Sequence, residues 1–179
     1  VYKKCGGCQL QNLSYERQLQ WKQARCQKLL GSFGKVRPII GMEHPWHYRN
    51  KVQAAFAWDK RRGKAISGVY QSSTHRVVPV DSCQIEDEKA DEIICTLREM
   101  LKGFKLTPYD EDTSRGFLRH VLVKRGFGTG EIMVVLVTGT PVFPAKKHFL
   151  AELLKRHPEI TTVIQNINDM RTSLVLGRQ

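Results

Sequence analysis

Hydrophobic and polar positions recur along the chain with two different periods, and each change of period marks an element. Tyr15, Leu19, Cys26, Leu29 and Leu30 return at helical spacing among charged and Gln positions, with Ser14 placed to cap the start and Gly31 to end it. An amphipathic helix is predicted there. Short β-rich runs follow at 36–40, 52–58, 66–70 and 76–80, with DKRRG at 59–63 turning the second into the third. Ile85, Ile93, Ile94, Leu97 and Leu101 then mark a second helix. It carries Glu86, Asp87, Glu88, Asp91 and Glu92 where a helix dipole favours acids, and it ends at Gly103. Residues 108–116 are polar and acidic and read as a loop.

Beyond that loop, runs at 118–124 and 132–138 flank FGTGE, whose glycines suit a hairpin. Pro144 suits the first turn of a third helix ending near Arg156, with Phe149, Leu150, Leu153 and Leu154 inward and Pro158 closing it. A strand at 161–167 follows, and 173–176 is placed to pair with it as a hairpin. The expected fold class is α+β: an antiparallel β-meander with packed helices and one strand-helix-strand crossover. There is no repeat or long linker, so 1–179 reads as one unit whose weak joint at 108–116 divides lobes 1–107 and 117–179.

Charge narrows the partners. Twenty-nine Lys and Arg against seventeen Asp and Glu leave a formal net charge of +12, which favours polyanions. No apolar run approaches the roughly 20 residues of a membrane span, and VYKKCGGCQ lacks the apolar core of a secretory signal, so a cytoplasmic protein without a membrane role is expected. Arg49 and Lys51 fall on alternate positions, hence one face, of a strand whose Val52, Ala54 and Phe56 point the other way. Lys60, Arg61, Arg62 and Lys64 crowd the turn after it, with only Asp59 against them. Such a face and tip suit RNA phosphates, and Trp46, Tyr48 and Trp58 suit unpaired bases, unless the aromatics are core.

Five cysteines without an export signal point to ligands or core thiols rather than disulfides. Cys5 and Cys8 stand in C-x-x-C spacing around two glycines, a pair able to serve a metal, a cluster or a redox disulfide. No strand precedes them, which argues against a thioredoxin-type pair. Cys83, read at the head of the second helix where a dipole favours thiolate, is the natural third ligand. Cys26 and Cys95 read as core thiols. The six histidines show no metal spacing; His47 and His120, each near an Arg, are read as surface groups.

These motifs together resemble a known family, the S-adenosylmethionine-dependent RNA uracil-5 methyltransferases, and within it the iron–sulfur branch that modifies 23S ribosomal RNA. The resemblance rests on CGGCQLQ from Cys5 to Gln11 followed by a helix, HYRNKVQ from His47, GVYQ-x-x-x-H-x-VVPV-x-x-C from Gly68 to Cys83, and RHVLV from Arg119. It covers most of the chain. It implies that Cys5, Cys8 and Cys83 are three ligands of a [4Fe–4S] cluster whose fourth would precede Val1. Their sulfurs are then expected within roughly 4–7 Å of one another. It also implies an N-terminal OB-like domain and a C-terminal Rossmann-like domain with the S-adenosylmethionine site and catalytic residues, neither visible here. This chain would be the central, RNA-binding domain, inactive alone, with ribosomal RNA as partner and no obligate protein partner. The tRNA-modifying branch lacks the cluster cysteines, so CGGC favours ribosomal RNA. The rival reading is a stand-alone basic RNA-binding module with structural zinc at the same three thiols.

Overall fold

The computed structural model describes residues 1–178. In chain order the elements are α1 (Tyr15–Leu30), β1 (Lys51–Asp59), β2 (Lys64–Tyr70), β3 (Val77–Pro79), α2 (Glu88–Gly103), β4 (Leu118–Arg125), β5 (Ile132–Thr138), α3 (Lys146–Arg156) and β6 (Ile160–Ile167). The strands form one six-stranded sheet in the order β3-β2-β1-β4-β5-β6. Neighbours are antiparallel except β5 and β6, which are parallel and joined through α3, as the crossover reading requires. Because β1 pairs with β4, the sheet is continuous across the 108–116 joint. The loop there is folded back on itself: Asp110 donates its N–H to the Arg115 carbonyl, and Tyr109 is buried. Gly116 has φ +112°, and an added Cβ would lie 2.2 Å from the Pro108 carbonyl oxygen, so only glycine closes this turn.

The core lies on one side of the sheet. Alternation sends Val52, Ala54 and Phe56 of β1, Val121 and Val123 of β4, and Val134 and Leu136 of β5 into it. Ile93, Leu97, Met100 and Leu101 of α2, with Phe149 and Leu153 of α3, close over them. Each such fully buried aliphatic side chain contributes about 1.5–3 kcal/mol. Polar pins fix the helices laterally. Arg98 donates to Ser67 Oγ at 3.0 Å and pairs with Asp81 at 2.7 Å, while His157 Nε2 lies 2.8 Å from Thr96 Oγ1. The β1–β2 turn closes through the Asp59 carboxylate, which accepts the N–H groups of Arg61 and Arg62, and through Gly63 at φ +60°.

Several expectations are corrected. Ser14 caps α1 by accepting the Arg17 N–H, but no α1 residue is buried, and Cys26, Leu29 and Leu30 are exposed rather than core. Periodicity gave the helix and not its burial, because no described element covers its apolar stripe. Residues 36–40 and 173–176 are not strands. The first run lies along α1 instead, with Gln23 donating to the Arg37 carbonyl. The second is tied to the end of β6 by side chains, with Asn168 Nδ2 donating to the carbonyls of Leu174 and Val175. Pro144 precedes α3, whose N-cap Ala145 is left-handed, and Leu154 is exposed. Cys95 is half-buried beside Asp81 and Arg98.

Urea unfolding tests this division. Leu97→Ala should cost about 2–5 kcal/mol, whereas Leu29→Ala should stay within about 0.5 kcal/mol.

Candidate nucleic-acid interface

The sheet face away from α2 and α3 begins, at the start of β1, with two lysines set directly opposite each other. Lys51 of β1 and Lys124 of β4 are cross-strand partners, and both are exposed. Like charges in that position repel one another. An external polyanion turns this repulsion into attraction. Arg125, the next residue, is committed elsewhere, pairing with Asp87 at 2.9 Å. Lys124 was missed in the sequence because its strand mate is seventy-three positions away; only the register brings it to Lys51.

Arg49 behaves differently from the expectation. It lies outside β1, half-buried, in an isolated parallel bridge with Glu86: its N–H donates to the Ile85 carbonyl and its carbonyl accepts the Asp87 N–H. Burial pushes the Glu86 carboxyl up to about 7, assisted by neighbouring Asp91 and opposed by the Arg49 charge. The Arg49 guanidinium therefore balances a buried acid. Lys60, Arg61, Arg62 and Lys64 are all exposed as expected, with Arg62 Nε 3.7 Å from Asp59. They sit at the far end of β1 from Lys51, about 25 Å away at strand rise, so the basic face and the basic turn are two sites. Exposed aromatics accompany both: Trp46 and Tyr48 precede the first, and Trp58 leads into the second, each about half accessible and none in the core. Indole and phenol faces held beside cations suit stacking on unpaired bases.

The cysteines do not assemble. All five are free thiols. Cys5 accepts the Gly7 N–H at 3.3 Å and forms a bridge with Gln71, while the Gly6 N–H donates to the Tyr70 carbonyl at the far end of β2. Cys83 follows the opposite end of β3, and its N–H donates to Asp91 at 2.7 Å. It is not at a helix head, since α2 begins at Glu88 behind the N-cap Asp87. Burial pushes its thiol up, and the nearby Glu86 and Asp91 carboxylates reinforce the rise, the reverse of dipole activation. Among the described residues no three His, Cys, Asp or Glu side chains are grouped as a metal site. Cys5, Cys8 and Cys83 are therefore not grouped, among the described residues, in the way a [4Fe–4S] cluster or zinc requires.

A second polar centre was not anticipated. The β4–β5 register shifts between Leu118 and His120, so Arg119 is the extra residue of a bulge, which takes its side chain out of the strand alternation. That side chain is 2% exposed. It donates to Asn168 Oδ1 and to the carbonyls of Asn168 and Met170, reaches Glu111 at 3.2 Å, and lies 4.6 Å over the Tyr109 ring. Glu111 in turn pairs with His75 Nδ1 at 2.7 Å. His120, read as a surface group, is instead buried edge-on to Tyr70, with no partner at Nδ1. The available signal was an Arg-His pair inside an otherwise apolar central run.

Burial, with the adjacent Arg119 charge, pushes the His120 imidazole down to about 4. Between about pH 6.5 and 4 the unfolded chain therefore binds a proton at this residue that the folded chain refuses, and the contribution of His120 to stability falls as pH drops through that window. Glu86, raised to about 7, takes up a proton in the folded chain over much of the same range and opposes this loss, so the His120 contribution is read from the difference between the native chain and His120→Gln in denaturant titrations from pH 7.5 to 4.5. His120→Gln should reduce the slope by up to one proton.

No protein-family model matches the chain. It is 42% identical over 182 residues to an uncharacterized RNA methyltransferase of Halalkalibacterium halodurans, 41% over 181 residues to one of Oceanobacillus iheyensis, and 40% over 183 residues to one of Clostridium tetani. These alignments take in 98–100% of this chain and 39% of each relative, so the chain spans about two-fifths of their length. Among solved structures it resembles Pyrococcus abyssi tRNA (uracil-54, C5)-methyltransferase in complex with S-adenosyl-L-homocysteine, with TM-score 0.74 and 24% identity over 97% of this chain and 39% of that one. The chain is thus similar from end to end to one part of proteins named RNA methyltransferases, and it has the fold of the matching part of a tRNA uracil methyltransferase.

Proposed function

We propose that this chain is the RNA-holding part of an S-adenosylmethionine-dependent RNA (uracil-5-)-methyltransferase, acting on ribosomal RNA. The observation that carries the reading is the opposed, exposed Lys51–Lys124 pair on the sheet face away from α2 and α3, in a chain similar throughout to part of RNA methyltransferases. Phosphates neutralise the two ammonium groups together, and Trp46 and Tyr48 offer stacking surfaces at the same end of the sheet. The Lys60–Lys64 turn, with Trp58, provides a second foothold about a strand length away. Two anchors fix the direction of an RNA segment as well as its position. A uracil must leave its stack to be methylated at C5, and holding the flanking nucleotides limits the cost of keeping it out.

The methyl donor would supply an electrophilic methyl group, but the described residues do not fit it. The turn after β5 leads into the parallel crossover, and the Tyr109 ring fills it: a Cβ on Gly139 would meet that ring at 2.2 Å. No cradle for a cofactor remains there. This chain's contribution is therefore binding and orientation, with methyl transfer assigned to the rest of the longer protein. The choice of ribosomal over transfer RNA is supported by the CGGC resemblance, while Cys5, Cys8 and Cys83 carry no step here. The rival zinc-stabilised module is not favoured, because among the described residues no third His, Cys, Asp or Glu is grouped with Cys5 and Cys8 as a metal site.

Fluorescence anisotropy against a structured 23S ribosomal RNA fragment, over a salt series, tests the reading. Binding should weaken steeply with salt, and Lys51→Ala with Lys124→Ala should flatten the log–log slope by about 0.7–0.9 for each phosphate no longer neutralised. Lys146→Ala with Lys147→Ala is the control. Equal weakening by the two pairs means a generally positive surface, and tighter binding to a tRNA transcript refutes the ribosomal assignment.

A further inference from the structure

The Arg119 centre opens onto a cavity of about 390 Å³ whose lining includes His75, Tyr109, Glu111, Arg119, Met170 and Arg171. That volume is within the range of sites for small organic ligands. The RNA reading assigns these residues nothing. Their positions come from four parts of the chain: the loop between β2 and β3, the folded 108–116 loop, the bulge of β4, and the segment after β6.

The lining decides what fits. Two carboxylates, Glu111 and Asp112, face three basic groups, of which Arg119 is already engaged with Glu111 and the backbone. A phosphate entering here would meet the carboxylates and find the guanidinium occupied, so an anion is disfavoured. A neutral, flat, polar molecule is not. Glu111 spends one acceptor site on His75 and one on Arg119, and an ionised carboxylate keeps further lone pairs for an incoming N–H. Arg171 lines the cavity with an exposed side chain that donates through Nε to Ser114 Oγ and through Nη2 to the Asp112 carbonyl, which leaves Nη1–H groups for an acceptor oxygen. The thioether of Met170, about half exposed, adds an apolar rim.

We propose that this cavity is a subsite for one unstacked nucleobase that presents an N–H beside a carbonyl, as uracil and guanine do. The base N–H donates to Glu111, and the base carbonyl accepts from the Arg171 guanidinium. The proposal rests on the RNA reading above, and it adds a base-reading pocket to surfaces that hold only phosphates and ring faces. It makes the chain selective for a particular unstacked base of the RNA it holds.

Nitrogen-15 correlation spectra of the full 179-residue chain, titrated with each of the four nucleosides and with inorganic phosphate to about 10 mM, test it. A site of millimolar affinity is largely filled at that concentration. Uridine and guanosine should shift the amides of His75, Glu111, Arg119 and Arg171, more strongly than adenosine or cytidine. Glu111→Gln should weaken that binding roughly tenfold with an unchanged circular dichroism spectrum. Should that variant not fold, His75→Ala, at an exposed side chain, carries the same test. Absence of shifts, equal shifts with phosphate, or a preference for adenosine or cytidine overturns the subsite. If RNA binding persists without nucleoside shifts, only the subsite fails. If nucleoside shifts persist without RNA binding, only the RNA reading fails.

Discussion

The one-sided packing of α2 against the sheet is the interaction on which the remaining features depend. Ile93, Leu97, Met100 and Leu101 seat on Val52, Ala54, Val121, Val123 and Val134, and α3 extends the layer over β5 through Phe149 and Leu153. Two helices are enough to bury one face of six strands, and among the described residues no helix covers the other. That other face carries what the core would not tolerate: the Lys51–Lys124 pair at one end and, near the bulge, a polar cavity. If helices covered both faces, both lysines would need buried counter-charges.

Charge is redistributed by the same packing. Of the acids read at the start of α2 for its dipole, Glu86, Asp87 and Asp91 are buried. They are engaged there by Arg49, Arg125 and the backbone of Cys83 and Ala90. Retiring acids from the surface leaves the exposed cations of β1, β4 and the β1–β2 turn less opposed than the bare count of 29 against 17 suggests. The cost falls on Cys83, whose thiol is made harder to ionise by burial and then by the Glu86 and Asp91 carboxylates. A residue spacing that suggests a ligand is thus placed where a thiolate is disfavoured.

The two buried basic side chains of β4 show how a local irregularity becomes a site. Without the extra residue Arg119, alternation through β4 would run unbroken, and an arginine in a central strand would have to enter the core or the open face. The bulge places it among carbonyls of the segment after β6, where it ties residues 168–172 to Glu111. Tyr109 closes the remaining side and fills the turn after β5. One inserted residue therefore organises both the cavity and the route of the chain beyond the last strand.

Periodicity, caps and turn residues sufficed for β1, β2, β4, β5, the crossover through α3, and the two long helices, because each obeys a rule of neighbours: alternation, a capping Ser14, a turn-closing Gly63. The basic turn Lys60–Lys64 was legible for the same reason, since four cations within five residues of a hairpin loop have nowhere to go but solvent. What depends on partners distant in sequence was not. Whether the α1 stripe is buried, whether His120 is wet, whether Cys83 meets Cys5, and which strand lies against Lys51 are settled by register and by which face a helix covers. Burial, pairing and ionisation are properties of surroundings, and the surroundings of Lys51, Arg119 and Cys83 are built from residues distant along the chain, which only the folded chain assembles.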